Sequence, residues 1–243
     1  MSWIPEEEKA PSTPASSKPE PSREHVAFIM DGNRRFARKS QVDLIRGHSS
    51  GFDKLSETLF WCRDLGIEEV TVYAFSIENF KRPQKEVQEL MELAREKFKR
   101  LLSETERLKE KGVRVQVLGN LSLLPEDLQK TIGHNKCTLN VAFAYTSREE
   151  LTSIHPTRRY GPLITKHHPQ PQISRKLFLR RRLSEEVRLS DFMLWQSSYA
   201  VTYFTQVLWP EFRLTHLMAG IFHYQHNLPR IQALAPLEEE LKV

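Results

Sequence analysis

His25-Val26-Ala27-Phe28-Ile29-Met30-Asp31-Gly32-Asn33-Arg34-Arg35 is the stretch on which the fold of this 243-residue chain turns. The run from Val26 to Met30 carries no polar side chain, so it can bury both faces as a strand inside a parallel sheet does, and Asp31-Gly32-Asn33 ends it with turn formers. The same grammar recurs downstream. Glu68 to Ile77 reads as a second buried strand, Val113 to Leu118 as a third and Cys137 to Tyr145 as a fourth. Between them lie helical periods: Phe52, Leu55, Leu59 and Cys62 up to Gly66, then Val87, Leu90, Met91, Ala94, Phe98, Leu101 and Leu108 from Pro83 to Gly112. Pro125 opens a short helix with Leu128 and Ile132. Strands alternating with helices predict an α/β fold, a parallel sheet covered by helices on both faces.

The flanks read differently. Residues 1–24 hold five of the fourteen prolines among Ser, Glu and Lys and are expected to be a disordered tail. The domain is expected to span 25–228, with 229–243 as a C-terminal tail. Within it the pattern lapses: Leu151 to Arg182 has eight Lys/Arg, no Asp or Glu, four prolines and three His. With no apolar period to phase, 151–181 is read as an atypical basic segment, either a long loop or a non-native insert. Periodicity returns at Val187 to Trp195 as an apolar helix, followed by a strand from Val201 to Leu208 and a helix from Leu214 to Tyr224.

Composition narrows the function classes. The chain carries 36 Lys+Arg against 31 Asp+Glu, a formal charge of +5, and 39% hydrophobic residues, which suit a globular core and anionic partners. No apolar run approaches the roughly 20 residues of a membrane span. Glu6-Glu7-Glu8 stands where a signal peptide needs cations, and only Cys62 and Cys137 are present, so a reducing, cytosol-facing compartment is expected. Neither a P-loop nor a Gly-x-Gly-x-x-Gly fingerprint occurs. His155 and His167-His168 lack Cys or carboxylates at ligand spacing, which argues against zinc. The basic stretch lacks the interleaved aromatics of a nucleic-acid surface, so no nucleic acid is expected.

Ligands of an open parallel sheet bind beyond the carboxyl ends of its strands. Asp31, Gly32, Asn33, Arg34 and Arg35 directly follow the first strand, and Ser76, Glu78, Asn79 and Arg82 follow the second. Planar arginine forks suit phosphate oxygens, Gly32 admits a close backbone approach, and a carboxylate such as Asp31 suits a Mg²⁺ ion bridging diphosphate oxygens. Each piece alone is also what a solvated loop contains; two clusters after successive strands point to a diphosphate–metal site. His48, in Gly47-His48-Ser49-Ser50-Gly51, is placed at a helix start, where it could donate to phosphate or merely cap. Arg182, Arg188 and Ser190 form a third group able to meet one anion.

Taken in order, six motifs resemble those of the cis-prenyltransferases: Ile29 to Ala37, Gly47 to Gly51, Tyr73 to Pro83, Leu139 to Tyr145, Arg188 to Phe192 and Val207 to Phe212. The similarity covers roughly residues 25–148 and 184–225, and it is strongest to the animal dehydrodolichyl diphosphate synthase type. It implies an undecaprenyl diphosphate synthase-like fold in which the sheet and two helices wall a hydrophobic tunnel. It also implies condensation of isopentenyl diphosphate with an allylic diphosphate such as farnesyl diphosphate, making the long cis-polyprenyl chain from which dolichol for protein glycosylation is built. By motif, Asp31 would hold Mg²⁺ and assist diphosphate departure, and Gly32, Asn33, Arg34, Arg35 and His48 would grip the allylic diphosphate. Ser76, Asn79 and Arg82 would line the reaction centre, with Asn79 joining Asp31 as catalytic. Arg182, Arg188 and Ser190 would bind isopentenyl diphosphate. The resemblance further implies a heteromer with a Nogo-B receptor-like partner subunit, because the carboxyl-terminal Arg-x-Gly of single-subunit members is absent and in animals resides on that partner, and peripheral contact with the cytosolic face of the endoplasmic reticulum membrane.

The chain also departs from the pattern. Glu185 stands where the family has Gly beside the isopentenyl diphosphate, and the stretch between Arg148 and Arg182 is short and lacks the family's helices. These departures leave a second reading open: a catalytically impaired splice variant or gene copy acting at most as an interaction subunit.

Overall fold

The computed structural model describes residues 25–103, 115–132, 139–152, 176–181, 189–197 and 200–234. Five buried residues form β1 (His25–Ile29), and Asn33–Lys39 form α1. They are followed by α2 (Leu44–Asp64), β2 (Glu69–Ser76), a 3-10 turn (Ile77–Lys81) and α3 (Gln84–Ser103). Next come β3 (Val115–Leu118), α4 (Glu126–Ile132), β4 (Leu139–Tyr145) and α5 (Ser147–Thr152). The chain continues through β5 (Lys176–Arg181), a single turn α6 (Leu194–Ser197), β6 (Ala200–Thr205) and α7 (Leu214–Leu234).

The six strands make one parallel sheet in the order β3-β4-β2-β1-β5-β6. The apolar run that opens the sequence therefore lies inside the sheet, with Val26 between Val70 of β2 and Leu177 of β5. Alternation divides its side chains. Val26 and Phe28 join Val70, Val72, Leu55, Met91, Phe98, Trp209 and Leu217 in the larger core, while Ala27 and Ile29 join Tyr73, Ala142, Tyr145, Phe192 and Met193 in a smaller one. Phe28 is 1% exposed, a burial worth about 1.5–3 kcal/mol. In β2 the register against β4 shifts around Phe75, which turns Phe75 onto the same face as Val72.

Because every pairing is parallel, the strand ends converge on one rim, where Asp31, Ser76, Ser147 and Leu208 all emerge. Four expectations need correction. The basic segment 151–181 contains β5, a strand paired on both sides by β1 and β6. α2 begins at Leu44, so His48 lies in its second turn and not at its start. The apolar stretch after Ser190 is a turn followed by one helical turn, because Ser190, Asp191 and Met193 adopt left-handed φ of 51°, 56° and 46°. Finally, α7 runs through Pro229 to Leu234, past the boundary set at 228. The tail 1–24, Leu108, Gly112, Cys137, Arg182, Glu185 and Arg188 lie outside the described residues.

Candidate active site

β1 ends at Ile29, and the backbone reverses through Asp31 and Gly32 into α1. Gly32 sits at φ 108°, where an L side chain is strained, and a Cβ there would lie 2.7 Å from Leu208 Cδ2. Leu208 and Trp209 follow β6, and the Trp209 N–H donates to the Asp31 carbonyl at 2.9 Å. The last of the six motifs thus braces the first. Trp209 also donates through Nε1 to the Gly51 carbonyl of α2 at 2.7 Å.

This bracing sets the polar groups. Arg35 donates to Asp31 Oδ2 at 2.9 Å. Asn33 Nδ2 lies 3.4 Å from His48 Nδ1, and both side chains face the mouth of a cavity. Asn33 Oδ1 and His48 Nε2 are buried with no hydrogen-bond partner, two positions ready for polar atoms of a ligand. Burial first, then the positive charges of Arg82 and Arg34, push the His48 pKa down to about 4, with Glu86 opposing; the ring is neutral at pH 7 and can still donate one N–H.

After β2, Ser76 caps the 3-10 turn. Its Oγ accepts from the Glu78 N–H at 3.2 Å, and Asn79 Oδ1 accepts from the Ser76 N–H at 3.0 Å. Two residues assigned to the reaction centre therefore hold each other's backbone, and this lock delivers Arg82 to the rim. Arg82 Nη1 donates to Glu86 Oε1 at 3.1 Å, and Arg34 Nε lies 3.7 Å from the same oxygen. Glu86, 7% exposed, is the residue that joins the two clusters, and the sequence reading missed it. Its signal was the four-residue step from Arg82 across Pro83 into the first turn of α3.

The third group is represented by Ser190, whose carbonyl is 3.4 Å from the Tyr73 hydroxyl. The structure brings Arg34, Arg82 and His48 together around Glu86, pairs Asn33 with His48 and Asp31 with Arg35 beside them, and attaches Ser190 to the same rim through Tyr73. Among the described residues no three His, Cys, Asp or Glu lie close enough to hold a metal by themselves.

Behind Asn33 and His48 extends an apolar cavity of about 170 Å³ between α2, α3 and the sheet. Phe52, Leu55 and Leu59 wall it on one side, Leu90, Ala94 and Phe98 on another, and Phe75 and Phe143 form its floor. The ring of Phe75 stacks on Phe143 at 5.2 Å and meets Phe80 edge-on at 5.0 Å, which keeps the floor rigid. A hydrocarbon pocket closed at one end by phosphate-type donors suits an amphiphile with an anionic head.

The family model for undecaprenyl diphosphate synthases matches residues 29–232. The chain belongs to the undecaprenyl diphosphate synthase family. The human dehydrodolichyl diphosphate synthase complex subunit is 48% identical to it over 233 residues, 85% of this chain and 68% of that protein. A tritrans,polycis-undecaprenyl-diphosphate synthase (geranylgeranyl-diphosphate specific) of Archaeoglobus fulgidus is 39% identical over 224 residues, 84% of this chain and 89% of that protein. Among solved structures, lavandulyl diphosphate synthase from Lavandula x intermedia, in complex with dimethylallyl diphosphate, matches with a TM-score of 0.65 at 26% identity, over 84% of this chain and 95% of that one. A sheet and two helices walling an apolar cavity are the architecture that the six motifs implied for an undecaprenyl diphosphate synthase-like prenyltransferase.

Proposed function

We propose that this chain is a cis-prenyltransferase that condenses isopentenyl diphosphate with an allylic diphosphate such as farnesyl diphosphate and releases a long cis-polyprenyl diphosphate for dolichol synthesis. The observation that carries the reading is an apolar cavity lined at one end by Asn33 and His48, with Arg34 and Arg82 converging on Glu86 beside His48.

The chemistry follows from those groups. The allylic C1–O bond breaks with both electrons leaving on the diphosphate, the C3=C4 π electrons of isopentenyl diphosphate form the new carbon–carbon bond, and the C2–H electrons close the new double bond as the proton passes to an oxygen of the released diphosphate. Charge grows on the leaving diphosphate as the bond breaks, so Arg34, Arg35 and Arg82 stabilise the transition state more than the bound substrate. Neutral His48 and Asn33 donate to the same oxygens and cost no proton. The cavity takes up the hydrocarbon, each added unit burying apolar surface at about 25 cal/mol per Å².

Asp31 is the carboxylate that would hold a divalent cation such as Mg²⁺. One protein carboxylate beside a diphosphate is a donor set that fits an ion carried largely by substrate oxygens, and when bound that ion would further neutralise the leaving group. Arg182, Arg188 and Ser190 complete the isopentenyl diphosphate side of the reading, with Asn79 and Ser76 shaping the centre. The human relative's name describes it as a complex subunit. A Nogo-B receptor-like partner and a peripheral position on the cytosolic face of the endoplasmic reticulum membrane belong to the same proposal, and no described helix is long and apolar enough to cross a membrane.

The test is incorporation of radiolabelled isopentenyl diphosphate into butanol-extractable product, with and without the partner subunit, for the parent and Asp31→Ala. The parent should elongate farnesyl diphosphate, and the variant should lose most Mg²⁺-dependent turnover while keeping its fold, because Asp31 lies on a half-buried rim turn outside the apolar cores. A folded parent that stays inactive with its partner would leave the interaction-subunit reading standing.

A further inference from the structure

The turn that carries Ser190 is held in an unfavourable backbone shape by a set of bonds that no part of the reaction explains. Ser190, Asp191 and Met193 are all non-glycine residues at left-handed φ, a conformation that persists only where the surroundings impose it. The surroundings are identifiable. The Ser147 N–H donates to the Asp191 carbonyl at 2.7 Å, the Arg148 N–H donates to Asp191 Oδ1 at 3.1 Å, and the Leu194 N–H donates to Ser147 Oγ at 2.9 Å. Ser147 is fully buried. From the other side the Tyr73 hydroxyl lies 3.1 Å from the Tyr145 carbonyl and 3.4 Å from that of Ser190, so one O–H straddles the end of β4 and the turn. The Tyr73 ring stacks on Phe192, which is fully buried, at 4.5 Å between centroids. Ser190 itself is exposed on the rim.

We infer that Ser147 and Tyr73 are positioning residues for isopentenyl diphosphate: they fix the strained turn so that Ser190 faces the rim at a set height above β2 and β4. The inference rests on reading Ser190 as a contact to that substrate. Tyr73 reaches the turn from β2, the strand that ends in Ser76, so the two halves of the site share one strand as their common reference. A residue that merely filled core space would act through its ring or its volume; here the hydroxyl groups carry the function.

The test titrates isopentenyl diphosphate calorimetrically into the full chain saturated with a non-ionisable thio analogue of farnesyl diphosphate, for Ser190→Ala, Tyr73→Phe, Ser147→Ala and the Tyr73→Phe/Ser190→Ala double variant. Tyr73→Phe retains the stacked ring and should weaken isopentenyl diphosphate binding about threefold to tenfold, the range one hydrogen bond is worth. It should leave the affinity for the thio analogue and the thermal midpoint near parental values. Ser147→Ala should act in the same sense and also lower the midpoint, because it removes a fully buried hydroxyl that accepts from the Leu194 N–H. In the Ser190→Ala background Tyr73→Phe should add little, since it acts through that serine. If Ser190→Ala weakens binding and Tyr73→Phe does not, or if the two effects simply add, the positioning role is overturned. If Ser190→Ala leaves binding unchanged, the reading of Ser190 fails instead, and the positioning role falls with it.

Discussion

Arg82 reaches the rim because Ser76 and Asn79 close the turn before it and Pro83 starts α3 after it, so its guanidinium is presented by backbone that has little freedom. One arm is committed to Glu86 and the remaining donors face the site shared with Arg34 and His48, whose low pKa registers both cations. An ammonium can keep the Glu86 pair but cannot supply a planar fork to diphosphate oxygens. Arg82→Lys should therefore lower kcat/KM roughly tenfold to a hundredfold, the value of a charge-assisted hydrogen bond, with the thermal midpoint nearly unchanged. Steady-state kinetics beside a melting curve check this, and parental kinetics would mean that Arg82 only caps α3. At this scale the sequence was informative where chemistry is local. The Asp31 to Arg35 turn and the Ser76 to Arg82 turn could be read from their position after strands, whereas Glu86 could not. A glutamate in the first turn of an amphipathic helix is ordinarily solvated, and only the approach of α1 buries this one between two arginines from different elements.

The approach of α1 is itself written in α2. Gly47 and Gly51 lie one turn apart on the face that meets α1, and they are what lets the two helices come within contact of their backbones. A Cβ at Gly47 would stand 2.6 Å from the Asn33 carbonyl oxygen and 2.8 Å from the Ala37 Cβ, neither of which can step aside. At Gly51 it would meet Asn33 Oδ1 at 2.5 Å, the far end of a side chain that can turn away. Alanine normally gains about 1 kcal/mol over glycine inside a helix. Here Gly47→Ala should destabilise by about 1–3 kcal/mol in urea unfolding, the cost of overpacking, while Gly51→Ala should be near neutral in stability. Its cost should appear as weakened allylic diphosphate binding, because the displaced Asn33 amide no longer sits 3.4 Å from His48. Equal stability losses at the two positions would refute the distinction. Element by element, the long strands and helices were legible from period and length, and β5 was not. Its apolar span is only Leu177-Phe178-Leu179 between cations, too short to announce a strand. Its identity comes from neighbours on both sides, β1 at sequence positions about 150 residues earlier and β6 some two dozen later. Single-sequence patterns cannot report that kind of support.

Across the molecule, burial is what moves the titration of His48 and Cys62. Burial pushes the Cys62 thiol up to about 12, which removes it as a nucleophile at neutral pH. His48 is a group through which pH reaches stability. In the unfolded chain it protonates near 6.5 and in the folded chain only near 4, so between those values the unfolded state binds the extra proton. The folded form is therefore fully favoured above about pH 6.5 and loses stability as pH falls toward 4, by about 2 kcal/mol at pH 5 from this residue. Urea midpoints at pH 7 and pH 5 should fall less for His48→Gln than for the parent; identical falls would remove His48 as the cause. The sheet order has a different kind of consequence, one of timing during biosynthesis. β1 leaves the ribosome first yet receives β5 only when residue 181 has been made, after β2, β3 and β4 have already had the chance to dock on its other side. At about 5–20 residues per second, the interval between completion of β4 at Tyr145 and of β5 at Arg181 lasts roughly 2–7 s. Throughout it a four-stranded part-sheet presents the unpaired edge of β1, apolar from Val26 to Ile29, to solvent, the geometry that recruits foreign strands. The nascent half-product, not the finished enzyme, is thus the form of this protein most in need of a chaperone.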